Sequence, residues 1–377
     1  MRRLLLLVGG IVFVDTMFFT ALTPLLPEYA DEFDLSKTGA GVLSAAYPAG
    51  ALLGGIPGGM TVARFGPRPV AIAGLLVIAT STFAFAVADS IVVADLARLV
   101  QGVGSAAAWT AGFTWLVAGT PAERRGQTIG SALAMAIAGA LFGPVLGGAA
   151  AVVGTPVAFG AAGLMAIGLA VWAVATNAPA TTIAQPLRAF VSALRGSRLL
   201  PGVWFVMLPA LLFGTMSVLA PLRLEVLGWG AVAIGAVYLV TAAGEAAVNP
   251  AIGRLSDRIG RLAPMRVTLF ASAVMAALLP WPRSPAILAV TVFAAGVAFG
   301  SFWTPAMSFL SAEAERSGIE YAYAFMLINL AWAPAQALGS SGSGALAEAT
   351  SDAVPYLLLS GACLLTFALL WRSTSSS

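Results

Sequence analysis

Asp15, Arg98 and Glu245 each interrupt an apolar run long enough to cross a bilayer. A charge near the bilayer centre costs at least about 2.5–3.5 kcal/mol on insertion scales, so each needs a partner or a watery cavity. Asp15 lies about 16 Å into the first run at 1.5 Å per residue. Arg98 enters the fourth run from the opposite end to a similar depth. Opposite charges at matching depth allow an Asp15–Arg98 interaction, direct or through water, but Arg98 can equally pair with Asp95 on its own helix. Glu245 belongs to a stripe, Tyr238, Thr241, Glu245 and Asn249, at spacings of three, four and four. Such a polar helix face lines either a cavity or a hydrogen-bonded helix seam, because lipid does not tolerate it. Asn329, Gln336, Ser340 and Ser343 repeat the pattern further on, with Trp332 and Pro334 among them, and Phe18 and Phe19 follow Asp15 by one turn. Carboxylates held in such surroundings can exchange a proton for a bound cation, and aromatic walls suit an organic cation.

The elements that must position these residues are membrane helices. Of 377 residues, 59% are hydrophobic and 9% charged, against roughly a quarter charged in a soluble domain. Windows 38–63, 69–88, 99–122, 199–222, 284–312, 321–347 and 353–371 contain no Asp, Glu, Lys or Arg, and 126–187 is two helices broken at Gly154-Thr155-Pro156. Adding spans at about 4–27, 226–252 and 265–281 gives twelve, each near the roughly 20 residues a bilayer requires. Fifteen arginines (Arg2, Arg3, Arg64, Arg68, Arg124, Arg125, Arg188, Arg195, Arg198, Arg254, Arg258, Arg261, Arg266, Arg316, Arg372) fall in one set of alternating loops and termini, and only Lys37, Arg223 and Arg283 in the other. The positive-inside rule therefore puts both termini in the cytoplasm. The net charge of +3 reports this topology and not a nucleic-acid partner. Met1-Arg2-Arg3 opens an uncleaved first span, since no small-residue cleavage site follows. The expected organisation is a six-helix bundle over 1–176, a cytoplasmic linker over 177–199 and a second six-helix bundle over 200–377.

The halves repeat. At an offset of 194, Gly59, Arg64 and Gly66 match Gly253, Arg258 and Gly260, and Gly102, Trp109 and Thr110 match Gly296, Trp303 and Thr304. Near the start of each half, Pro24 to Glu28 matches Pro221 to Glu225 at an offset of 197. Parallel six-helix repeats are a transporter architecture with its site at the midplane.

The motifs resemble the major facilitator superfamily, and within it the twelve-helix drug:proton antiporters. Helix 1, from Asp15 through Pro24 and Pro27, is similar to the opening helix of that group. Helix 4 carries Arg98-x-x-Gln101-Gly102-x-Gly104, similar to a motif whose arginine is implicated in proton coupling. Helix 5 carries Gly139-x-x-x-Gly143-Pro144-x-x-Gly147-Gly148, resembling the antiporter motif. Glycines at four-residue spacing let helices approach closely, and the proline bends one of them. Between helices 8 and 9, Gly253, Asp257, Arg258, Gly260 and Arg261 match the family's cytoplasmic gate loop. The equivalent Gly59, Arg64, Gly66 and Arg68 depart from it at Ala63, where an acid is expected.

The resemblance implies an all-α integral membrane fold and proton-coupled efflux of small amphipathic, often cationic, compounds by alternating access. It also implies a monomer in a bacterial plasma membrane. A sugar or amino-acid exporter on the same fold is the alternative, and a non-transporting sensor is the reading from another class. The expected site comprises Asp15, Arg98, Glu245, Phe19, Tyr238, Thr241, Asn249, Asn329 and Trp332; the partners are a small-molecule substrate, protons and lipid, with no cofactor or metal. With no His and one Cys, an enzyme would lack a metal cluster or a nucleophile–imidazole pair. No Gly-x-x-x-x-Gly-Lys segment offers a nucleotide site. Ala63→Asp is expected to lengthen the time spent outward-facing, read as a shift in a spin-label distance across the cytoplasmic side; an unchanged distance would refute it.

Overall fold

The computed structural model describes residues 2–121, 124–177, 199–260, 262–317 and 321–375. They form twelve helices and, among the described residues, no strand. In chain order these are α1 (Arg2–Glu32), α2 (Lys37–Phe65), α3 (Pro67–Ala86), α4 (Ile91–Ala118), α5 (Arg125–Val153), α6 (Thr155–Val174), α7 (Leu199–Val226), α8 (Ala231–Ile259), α9 (Leu262–Leu278), α10 (Pro285–Arg316), α11 (Tyr321–Ala349) and α12 (Ala353–Ser375). Ten are long and apolar enough to cross a membrane, while α9, at 17 residues, is shorter. The chain resolves into two compact units: residues 1–25 with 46–189, and residues 26–45 with 190–377. α1 and α2 therefore each run from one unit into the other. Most of the expected linker, 178–198, lies outside the described residues.

Helix boundaries follow local chemistry. Gly154, at φ 90°, and Pro156 at the start of α6 separate α5 from α6, since glycine accepts a positive φ and proline needs no donor in a first turn. Two expected spans are displaced. The eighth helix begins at Ala231 rather than 226, because Gly228 at φ 93° ends α7: Gly228 N donates to Glu225 O at 2.7 Å and Trp229 N to Leu224 O at 3.0 Å. That is a Schellman cap. The ninth ends at Leu278 rather than 281.

The same cap ends α1. Asp34, at φ 50°, donates its N–H to Asp31 O at 3.4 Å, and Leu35 N donates to Ala30 O at 2.7 Å. Asp34 and Gly228 differ by 194, as do Ala30 and Leu224. The start of the halves is thus in the register of 194, pairing Pro27 with Pro221 and Asp31 with Glu225, and the offset of 197 is a misalignment. One ungapped register therefore runs from Pro27 to Thr110. It holds for the helix junctions too, where Gly66 and Gly260 both sit at φ 84°.

Contacts repeat in that register. A Cβ on Gly50 would collide with the Leu99 carbonyl, and one on Gly244 would meet the Phe293 ring. A Cβ on Gly102 would collide with the Tyr47 carbonyl, and one on Gly296 with the Thr241 methyl. All four pairs match at 194, so α2 lies on α4 as α8 lies on α10.

Gly102→Ala forces backbone apart, since its Cβ would also lie 2.7 Å from Ala51 N. It is expected to cost about 1–3 kcal/mol or more, while Gly160→Ala, with nothing within 4 Å, is neutral or stabilising. Thermal unfolding in detergent checks the pair; equal midpoints would contradict the packing.

Candidate functional site

Asp15 is 2% exposed inside the first unit, between α1, α2 and α4. Its Oδ2 accepts from Tyr47 Oη at 2.8 Å, Ser105 Oγ at 2.8 Å and Trp109 Nε1 at 2.7 Å. Hydrogen bonds to an ionised acceptor are the strong ones. Its other oxygen, Oδ1, is buried and has no hydrogen-bond partner. A proton added at Oδ1 would leave the three bonds to Oδ2 in place, so the carboxyl can change charge without losing its seat. Trp109 is partly exposed, whereas Tyr47 and Ser105 are buried.

Arg98, 1% exposed, is anchored on the backbone of α1. Nη1 donates to Phe18 O at 3.0 Å and to Gln101 Oε1 at 2.6 Å, and Nη2 donates to Phe19 O at 3.2 Å. Gln101 in turn donates to Thr82 Oγ1 at 2.7 Å, tying α4 to α3. The guanidinium lies 5.0 Å from the Tyr47 ring and 5.7 Å from that of Phe85, within cation–π range. Arg98 thus holds α1 one turn beyond Asp15 and meets the Asp15 site through Tyr47. Asp95, the other candidate partner, has a buried Oδ1 without a hydrogen bond. The Phe19 ring packs on Tyr47, with centroids 5.0 Å apart. Tyr47 and Ser105 did not stand out in the sequence. The signal for Tyr47 was its match to Thr241 at 194.

The helix 5 motif grips α1. A Cβ on Gly139, Gly143 or Gly147 would press on the carbonyls of Phe13, Met17 or Ala21 respectively. Thr16 Oγ1 donates to Ala136 O at 2.8 Å and Thr20 Oγ1 to Ala140 O at 3.3 Å. Pro144 has no N–H, so the Ala140 carbonyl loses its intrahelical donor; the Thr20 hydroxyl, whose single proton is shared between Thr16 O at 3.0 Å and Ala140 O at 3.3 Å, reaches it from the neighbouring helix. The proline survives in hydrocarbon because α1 satisfies the group it frees. Gly148 lies partly exposed beside this seam. Gly104 packs on α3, where a Cβ would meet Val77 and the Gly74 carbonyl.

In the second unit, Glu245 places its carboxyl against Gly300, in space that any side chain there would fill, and bonds the Asn249 amide. Asn249 Oδ1 is buried with no partner. Thr241 turns its methyl into Gly296 and its hydroxyl to Val237 O at 2.7 Å, and Tyr238 donates to Met216 O at 2.8 Å. The stripe thus divides: Tyr238 and Thr241 serve helix contacts, while Glu245 and Asn249 bond each other. On α11, Gln336 and Ser340 face α7, with Ser340 Oγ donating to Gly214 O and Thr215 Oγ1 to Gly339 O. Asn329 is exposed and Trp332 partly so. Of the gate residues, Gly59 and Gly253 are partly exposed and Arg64 and Arg258 exposed. Arg68 bonds the Val174 carbonyl at the end of α6. The side chain of Asp257 and all of Arg261 lie outside the described residues.

A family model described as Major Facilitator Superfamily matches residues 8–336. The chloramphenicol resistance protein of Streptomyces lividans is 28% identical over 345 residues, covering 85% of this chain and 84% of that one. The MFS-type transporter ppzB of Metarhizium rileyi is 30% identical over 142 residues, 36% of this chain and 29% of its own length, and the Staphylococcus aureus quinolone resistance protein NorA is 28% identical over 157 residues, 41% and 40%. The matched stretch thus spans under a third of the fungal relative. The human organic anion transporter MFSD10 superposes with a TM-score of 0.73 at 19% identity, covering 98% of this chain and 99% of that one. A D-xylose-proton symporter gives 0.77 at 16%, covering 98% and 97%. At these identities the structures show the shared fold alone.

Thr20→Val leaves the Ala140 carbonyl unpaired and should cost about 1–2 kcal/mol. Pro144→Ala restores the intrahelical donor, so Thr20→Val should cost less in that background. A double-mutant cycle of unfolding free energies tests this; strict additivity would refute the pairing.

Proposed function

This chain belongs to the Major Facilitator Superfamily and is a multi-pass membrane transporter, not an enzyme, and we propose that it exports small amphipathic, often cationic, compounds in exchange for protons. The observation that carries the reading is Asp15: one oxygen fixed by three donors, the other buried and unpartnered, in a helix within an apolar span. A proton arriving at Oδ1 cancels the charge, and its departure restores a carboxylate still held by Tyr47, Ser105 and Trp109. Arg98, bound to the α1 backbone, keeps positive charge near the site and ties that helix to α4. Glu245 supplies a second carboxylate in the other unit. Cation binding at a carboxylate favours proton release, and protonation favours release of the cation; with alternating access, this competition suffices for exchange. The resemblance to chloramphenicol and quinolone resistance proteins supports a drug-like substrate class. On the same reading, the protein works as a monomer in a bacterial plasma membrane, and the arginine distribution supports an orientation with both termini cytoplasmic.

The test is purified protein in liposomes with an imposed pH gradient and a panel of lipophilic cations and neutral metabolites. Asp15→Asn and Glu245→Gln are each expected to reduce gradient-driven transport to the level of empty liposomes while keeping the wild-type elution profile. Uphill transport retained in both variants would overturn the assignment.

A further inference from the structure

The seam between α8 and α10 repeats that between α2 and α4, yet the two are built differently. In the first unit backbone shuts it: a Cβ on Gly54 would lie 2.9 Å from the Val103 carbonyl oxygen, and one on Gly58 3.2 Å from Ala107 Cα. At the offset of 194 the second half has Val248 and Ile252 in their place. Side chains therefore stand in this seam where the first unit has bare backbone, as Gly244 against the Phe293 ring also shows. Glu245 enters the same seam, its carboxyl against Gly300. The matching pair in the first half is Ala51 and Ala106.

Polar atoms continue from Glu245 toward the C-terminal end of α8. Asn249 gives its amide to Glu245 and keeps Oδ1 buried with no partner. The Ser256 hydroxyl is likewise buried without a partner, its residue 8% exposed. Helical geometry puts Ser256 within about 20° of Glu245 around the axis and roughly 16 Å further along it. Gly253, one turn from both Asn249 and Ser256, has nothing within 4 Å of where a Cβ would stand, which leaves room between them. On α10, Pro305 withdraws the intrahelical donor from the Ser301 carbonyl, and Ser301 matches Ala107 of the shut seam. The first half has Gly55, Val62 and Ala111 where the second has Asn249, Ser256 and Pro305. From Glu245 onward, no other charged side chain occurs before Arg254 on α8 or before Glu313 on α10.

We propose that this seam carries a thread of water from the C-terminal end of α8 to the Glu245 carboxyl, with Asn249 Oδ1 and Ser256 Oγ as its fixed stations. The inference rests on the proton-exchange reading and deepens it: Glu245 gains a proton route inside its own unit, one that does not wait on either face of the carrier opening. A buried polar atom left unpaired is costly, and internal water with two to four polar partners removes that cost. The Ser256 hydroxyl, the Ser301 carbonyl and the Asn249 carboxamide supply partners at successive depths. Along such a chain each water gives up one O–H bond as it gains another. A proton entering at Ser256 thus ends on a Glu245 oxygen, converting carboxylate to carboxyl, and release runs the same steps in reverse. The arginine distribution supports a cytoplasmic position for this end of α8, so the thread serves that side.

Exchange of the Glu245 proton for deuterium tests this without a substrate. Purified protein, at a pH low enough for the carboxyl to hold its proton, is mixed into heavy water and followed by infrared spectroscopy. The Glu245 carbonyl stretch is the band lost in Glu245→Gln. Ser256→Val should slow the shift of that band about tenfold, the scale of one hydrogen bond withdrawn from a buried station. Ser256→Thr, of the same shape but with a hydroxyl, should keep the wild-type rate. Asn249→Leu should slow the shift at least as much as Ser256→Val. Thr268→Val, which removes a buried hydroxyl bonded within its own helix, should change nothing. Equal rates in the Ser256→Val and Ser256→Thr variants would overturn the thread, and so would a wild-type rate in Asn249→Leu. Slowed exchange beside failed gradient-driven transport in liposomes would leave the thread standing and sink the export reading; the opposite pair of results would do the reverse.

Discussion

Hydrocarbon offers no hydrogen-bond partner, so every polar group carried into it must find one within the protein. The molecule is organised around that constraint. The carbonyl freed by Pro144 is met by Thr20 of α1, the Arg98 guanidinium reaches carbonyls of α1 and Gln101, and Asp15 Oδ2 collects three donors from two helices. Against these satisfied groups, Asp15 Oδ1, Asp95 Oδ1 and Asn249 Oδ1 are buried carboxyl or amide oxygens without a hydrogen-bond partner. Leaving a buried acceptor unpaired is costly.

The scaffold is duplicated but the chemistry is not. From Pro27 to Thr110 a single register reproduces caps, positive-φ glycines and helix crossings in the second half. The charged and polar groups around Asp15, Arg98 and Glu245 ignore it. Asp15 corresponds to Pro209, Arg98 to Val292, Gln101 to Ala295 and Ser105 to Phe299, while Glu245 stands where the first half has Ala51. Where the first half sets Tyr47 beneath its carboxylate, the second has Thr241 packed into glycine. Close packing preserves the glycines because a Cβ would strike backbone at these crossings. Polar residues at positions outside these crossings are free to diverge because they carry no such steric demand.

The first two helices contribute to many of these contacts. α1 holds Asp15, receives Arg98 on its carbonyls, and lies in the glycine seam of α5; α2 supplies Tyr47 to the Asp15 cluster and the N–H of Thr38 to Glu348. Pro24, Pro27 and Pro48 lie on the same two helices.

The sequence by itself determined the twelve helices and the 194-residue register from Gly59 to Thr110, because hydropathy, charge-free windows and spaced glycines are local properties; the caps at Asp34 and Gly228 were needed to bring the segment from Pro27 into it. It also picked out Asp15, Arg98 and Glu245, since a charge inside an apolar run is visible without coordinates. Only the tertiary structure decided what those charges touch. Asp95 and Asp15 were equal candidates for Arg98 by depth and spacing, yet its hydrogen bonds include the Phe18 and Phe19 carbonyls of α1 as well as Gln101, and a backbone acceptor on another helix has no signature in side-chain sequence. Tyr47, Ser105 and Thr20 became visible only when helices 32, 90 and 120 residues apart in sequence were brought together. Ser340, in a stripe that read as lining either a cavity or a helix seam, bonds the Gly214 carbonyl of α7, because periodicity identifies a polar face but not the neighbour it meets.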